Sequence, residues 1–107
     1  MRTITAPELA AWRADPQRPA PLVLDVREPW ETELVKLPDS LLVPMRQIPG
    51  ALDRIDRDRP VVCLCHHGAR SLQVAQFLEH HGFADVINLH GGIDAWARQV
   101  DRSLATY

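Results

Sequence analysis

Cys65-His66-His67-Gly68-Ala69-Arg70-Ser71 is the segment of this chain whose residue types and spacing could do chemistry. It follows the apolar run Pro60 to Cys65 and precedes residues with helical spacing, so it reads as a loop joining a strand to a helix. Such a loop turns successive backbone N–H groups inward. With the positive end of the helix they make an anion cradle. A thiol at its centre has its thiolate stabilised. Gly68 permits the torsions of a tight loop, and Arg70 adds a permanent cation. The segment therefore suits a nucleophilic sulfur, that of Cys65, which carries or attacks something anionic. The backbone amides of His66, His67, Gly68, Ala69 and Arg70 are expected to form the cradle.

Other readings of the same residue types are weaker. A cysteine at a strand end is often a small buried hydrophobe, but Gly68, Arg70 and the helix start favour chemistry at Cys65. Cys63, between Val62 and Leu64, reads as core filler. A disulfide between the two would be strained, because i, i+2 residues of a strand lie about 7 Å apart. Cys63, Cys65, His66 and His67 are all metal-ligand types, yet no second half of a metal motif exists in the sequence. Neither a metal nor a cofactor is expected. His80 and His81 read as solvated residues at a helix end, and His90 as a loop residue. Phe77 and Phe83 belong to the core by spacing. Trp30 and Trp96 read as packing residues, with Trp30 also a candidate to roof the site.

The elements that must position the loop alternate along the chain. Thr5-Ala6-Pro7-Glu8 is a capping box that opens a helix carrying Leu9 and Trp12 on one face. Pro16 to Pro21 is a loop. Leu22 to Val26 is a strand ending near a carboxylate, Asp25, and Glu28 to Leu34 is a short helical turn. Leu41 to Val43 is a second strand, stopped by Pro44. Arg46 to Ile55 reads as a helix with Ile48, Leu52 and Ile55 on one face, interrupted by Pro49 and Gly50. Pro60 to Cys65 is the strongest strand, and Ser71 to His81 the strongest helix, closed by Gly82. Asp85 to Leu89 and Ile93 to Val100 form the last strand and helix. Apolar strands separated by helices argue for an α/β fold, a parallel sheet covered on both faces. Ligands of such sheets sit at the carboxyl ends of the strands. Asp25-Val26-Arg27-Glu28, Cys65 to Arg70, and His90-Gly91-Gly92 all fall there.

Cys65 to Ser71 resembles the active-site loop of rhodanese-type sulfurtransferases. Three further stretches resemble that family in the same order. They are Asp25 to Glu31; Leu37-Pro38-Asp39-Ser40 with Leu42-Val43-Pro44-Met45; and Gly82-Phe83 to Leu89 with Gly91-Gly92-Ile93-Asp94-Ala95-Trp96. The resemblance covers nearly the whole chain. It implies a rhodanese-like fold with a five-stranded parallel sheet flanked by helices, one domain spanning residues 1–107. It implies that Cys65 becomes a persulfide and passes sulfur from a small anionic donor, often thiosulfate, or a protein persulfide, to a nucleophile that can be a protein. Arg70 is then expected to shape the loop, paired with Glu28 or Glu31. Asp25 is expected to tie the loop down, with Ser71, read as a helix cap, as its partner. Arg27 is read either as meeting an anionic substrate or as a plain salt bridge. Many members have a Gly-His pair before the Pro of the second motif; this chain has Val35-Lys36-Leu37-Pro38.

Phosphatases of the same fold hold phosphate in a loop one residue longer between Cys and Arg. The shorter Cys65–Arg70 loop makes a smaller cradle, suited to a single sulfur atom. A sulfur-carrier or redox-sensing domain serving a partner protein shares the persulfide chemistry and ranks second. A non-enzymatic interaction module would not need the cysteine. Length and composition agree with one domain: 107 residues, 46% hydrophobic and 24% charged. The net charge of -2, with cations scattered, asks for neither nucleic acid nor an acidic membrane. No apolar run approaches the length of a membrane span or signal peptide, and the expected location is cytoplasmic.

Overall fold

A computed structural model describes all 107 residues. In chain order the elements are strand β1 (Arg2–Ile4), helix α1 (Ala6–Ala14), β2 (Leu22–Asp25), α2 (Pro29–Leu34), β3 (Ser40–Leu42), β4 (Val61–Leu64), α3 (Ala69–His80), β5 (Val86–Leu89) and α4 (Gly92–Gln99). The five strands form one sheet in the order β1-β5-β4-β2-β3, and every pairing is parallel. No helix is long and apolar enough to cross a membrane.

The strands are apolar on both faces because both faces are covered. Leu24, Val61, Cys63 and Cys65 point to one side and pack with Val74, Ala75 and Leu78 of α3. Val23, Val62, Leu64 and Ile87 point to the other and pack with Leu9 and Trp12 of α1 and Ile93 and Trp96 of α4. Each fully buried Leu or Ile in these layers contributes about 1.5–3 kcal/mol relative to exposure. β4 lies in the middle of the sheet, so its carboxyl end is held from both sides.

Helix ends follow their local signals. Thr5 Oγ1 accepts the Glu8 N–H at 3.2 Å, and Glu8 Oε1 accepts the Thr5 N–H at 3.0 Å. At the end of α3, the N–H of Phe83 bonds Leu78 O and that of Gly82 bonds Glu79 O, at 3.1 and 3.2 Å. These are the two bonds of a Schellman closure.

Two local expectations differ. Residues 46–55 form not one helix but two short 3-10 helices, Met45–Gly50 and Leu52–Arg54. Pro49 has no N–H to give, and an α-helical carbonyl of Met45 would meet its ring. Ile48 and Ile55 still reach the core. The second difference is β1, whose three residues escape sequence reading because only Ile4 is buried. Its strand state comes from pairing Arg2, Thr3 and Ile4 with Ile87, Asn88 and Leu89.

Candidate active site

Cys65 follows the last residue of β4 and is 1% exposed. Its Sγ accepts the N–H of Gly68 at 3.0 Å. Gly68 is the residue before α3, with φ +115, a left-handed torsion that suits glycine. The first turn of α4 fixes the loop from behind. Ile93 N–H bonds Cys65 O at 2.9 Å, and Asp94 N–H bonds His66 O at 3.1 Å. Gly92 makes that approach possible. A Cβ there would collide with the carbonyls of Cys65 and His66, and its φ is +61. With the carbonyls drawn to α4, the loop's own donors stay free. The N–H groups of His66 and His67 meet no backbone acceptor. Ala69 and Arg70 open α3, where the first N–H groups have no intrahelical partner. Of the five expected cradle residues, Gly68 alone donates its N–H to the sulfur, and the amides of the other four are without a backbone acceptor.

Ser71 is buried beneath this loop, but neither as a helix cap nor as a partner of Asp25. The residue before α3 is Gly68, and Ser71 is the third residue of the helix. Its Oγ lies 2.6 Å from Asn88 Oδ1, 3.2 Å from Gly68 O and 3.3 Å from Cys65 Sγ. Asn88 Nδ2 also donates to Gly68 O at 3.2 Å. Asn88 therefore ties β5 to the loop, a role the sequence reading missed. Its signal was present: a lone polar residue in the strand Val86-Ile87-Asn88-Leu89, buried there between β1 and β4.

Asp25 bonds Arg27 instead. Arg27 Nε and Nη2 donate to its carboxylate at 2.9 and 2.7 Å, and Nη2 also reaches Val35 O at 2.8 Å. Arg27 is 0% exposed. Of its two readings, the structure shows the salt bridge, with the guanidinium closed off from solvent. Burial alone would lower its pKa, but hydrogen bonds to Asp25 and Tyr107 raise it on balance. Through Val35 O the pair ties the end of β2 to the C-terminal end of α2.

Arg70 pairs with Glu31, one of the two expected partners. Nη1 meets Oε1 at 2.7 Å and Nη2 meets Oε2 at 2.8 Å, a bidentate fork. Glu31 also accepts the Glu28 N–H at 3.0 Å and the Tyr107 hydroxyl at 2.6 Å. The Arg70 bonds hold the Glu31 carboxyl at about 2, against the opposing effect of burial. Glu31 in turn raises the Arg70 pKa. This fork ties α2 to α3 and takes up the one guanidinium of the loop.

The loop histidines stack. The His66 and His67 rings lie 3.9 Å apart at 21°, and Tyr107 covers the other face of His66 at 3.8 Å and 3°. His66, His67 and Asp94 have ligand-type atoms within 4.8 Å of one another. The near-parallel rings do not aim their in-plane lone pairs at one point, and Asp94 is engaged by Arg98 Nε at 3.0 Å. Trp30 is 60% exposed and meets Tyr107 edge-on at 6.1 Å, so it borders the site and does not pack in the core. His90 is exposed beyond β5. Cys63 is wholly buried, and burial pushes its thiol up to about 12, with Cys65 alongside adding to the shift. It stays a core residue.

A parallel sheet of this order, with a cysteine loop at the carboxyl end of its central strand, defines a class that comparison with known proteins identifies. Residues 5–99 match the family described as the Rhodanese-like domain. The chain belongs to that family. It is 46% identical over 77 residues to a sulfurtransferase of Allochromatium vinosum, covering 72% of each chain. It is 35% identical over 75 residues to a thiosulfate sulfurtransferase of Pseudomonas syringae, covering 70% of this chain and 71% of that one. Other relatives are longer, and the chain spans 30% of one and 27% of another. Among solved structures, a rhodanese-like domain protein of Staphylococcus aureus superposes with TM-score 0.84 at 32% identity, covering 100% of this chain and 99% of that one.

Proposed function

We propose that this protein is a sulfurtransferase that carries a sulfane sulfur as a persulfide on Cys65. The observation that carries the reading is the seat of Cys65 Sγ, 3.0 Å from the Gly68 N–H in a loop whose other amides have no backbone acceptor. The Cys65 thiolate attacks the outer sulfur of a donor S–S bond. That bond breaks, the donor's remaining half leaves with the electron pair, and a Cys65 persulfide forms. From thiosulfate the leaving group is sulfite; from a protein persulfide it is a thiolate. The free amides of His66, His67, Ala69 and Arg70 then hold the outer sulfur and its charge. A thiophilic acceptor, cyanide in the laboratory, attacks that sulfur and releases the Cys65 thiolate.

The charge arrangement favours a protein persulfide over thiosulfate as donor. Arg70 is spent on Glu31, and Arg27 is spent on Asp25 and buried. No permanent cation of the loop is left to draw in a dianion. The same observation favours a second reading, a sulfur-carrier domain serving a partner protein, with slow turnover of small substrates. Transfer rates decide between them. Thiosulfate-to-cyanide turnover comparable to transfer from a protein persulfide supports a free-standing enzyme. Efficient transfer from the protein persulfide alone supports the carrier. Absence of both, with wild type and Cys65→Ser alike, overturns the reading. Hydrolysis of a phosphate monoester by wild type but not Cys65→Ser would instead assign phosphatase chemistry.

A further inference from the structure

The segment that follows α4, Asp101 to Tyr107, has no regular structure, yet it returns to the carboxyl end of the sheet, where Leu104 and Tyr107 pack against the core. Tyr107 there makes contacts with three different parts of the site. Its hydroxyl donates to Glu31 Oε2 at 2.6 Å and accepts from Arg27 Nη1 at 3.2 Å. It therefore bridges the two ion pairs, Arg27–Asp25 and Arg70–Glu31, that brace the loop. Its ring lies flat on His66, with centroids 3.8 Å apart.

The His66 contact is the telling one. His66 Nε2 is buried and has no hydrogen-bond partner. That edge of the imidazole lacks a polar anchor, so packing between Tyr107 and His67 must hold the ring. His66 directly follows Cys65 and supplies one of the free amides of the cradle. We infer that Tyr107 is a positioning residue for the Cys65 loop: its ring fixes His66, and through it the adjoining peptide, while its hydroxyl steadies Glu31 against Arg70. The inference rests on the sulfur-transfer reading and adds a residue to it. The hydrogen bonds of the Tyr107 hydroxyl go to Glu31 and Arg27, none to Cys65 Sγ.

Persulfide formation on the full chain tests it, with glutathione persulfide as donor, well below the unfolding transition. Wild type, Tyr107→Phe and Tyr107→Leu are compared over a range of donor concentrations. Phe keeps the stack and removes the hydroxyl; Leu removes both. The limiting rate is expected to fall about tenfold in Tyr107→Leu, with half-saturation within about twofold of wild type, and to recover to within about threefold in Tyr107→Phe. The backbone amide resonances of His66 to Ala69 are expected to shift in the Leu variant and hold in the Phe variant. A limiting rate in Tyr107→Leu equal to wild type overturns the inference. So does a Phe variant as slow as the Leu variant, or amide resonances that stay put in both. Should wild type acquire no sulfur, the sulfur-transfer reading falls, and the amide shifts alone decide whether Tyr107 positions the loop.

Discussion

Glu31 accepts four donors, from Arg70 twice, Glu28 and Tyr107, while lying almost wholly out of water. A buried carboxylate so surrounded stays ionised, and its loss leaves donors unmatched. Glu31→Gln keeps the size but breaks the fork, and is expected to cost about 1–3 kcal/mol by urea denaturation, less than a fully buried pair because Arg70 is about one-third exposed to water. The pH dependence has a definite sign. The folded carboxyl sits at about 2, below its ordinary 4.5, so the stabilisation is present above 4.5 and is lost as pH falls toward 2. That lost share should reach about 3 kcal/mol at most, and should vanish in Glu31→Gln. The same scale separates the two cysteines. Cys65→Ser is expected to abolish transfer while its unfolding midpoint stays near wild type. Cys63→Ala should keep transfer and lose about 1 kcal/mol of stability, the cost of a small cavity.

The loop is held by the starts of two helices and by one strand residue, and each should be separable. Gly92→Ala places a Cβ against the carbonyls of Cys65 and His66 at a positive φ. It is expected to cost at least about 2 kcal/mol and to suppress transfer as the loop is pushed from α4, read by denaturation and single-turnover rates. Asn88→Leu removes the ties to Ser71 and Gly68 and is expected to cost about 1–3 kcal/mol. These ties mark where sequence reading ended. The loop from Cys65 to Arg70 was legible as a strand-to-helix connection because its residues are contiguous and flanked by an apolar run and a helical pattern. So were four strands and the main helices, from apolar runs and caps. Asn88 shows in the sequence only as a lone polar residue in an apolar strand, and the bridge from Tyr107 to Glu31 joins residues far apart in sequence that no spacing announces. Ser71, a candidate partner for Asp25 in the sequence, does not reach it, because the buried fork of Arg27 takes that carboxylate. The break at Pro49 was visible as residues, but 3-10 geometry needed the core contacts of Ile48 and Ile55 to sustain it.

At the scale of the whole molecule, the two-faced sheet makes stability and chemistry largely separate. Leu24 and Ile87 are fully buried on opposite faces, with apolar side chains that make no hydrogen bond to the loop. Truncating either to Ala is expected to cost about 2–5 kcal/mol while the transfer rate of the folded fraction stays unchanged. A coupled loss of rate would mean that the core on that face tunes the loop. What the fold delivers to the site is one sulfur at the end of its central strand, held by the Gly68 N–H beside an Arg70 already paired with Glu31, and the proposed function makes that sulfur a carrier. Intact mass measures that claim most directly, after incubation with a persulfide donor and with thiosulfate, beside Cys65→Ser. The account requires wild type to gain one sulfur atom, lost again on adding cyanide, and the serine variant to gain none. A gain in Cys65→Ser equal to that of wild type, or no gain from either donor, would contradict it.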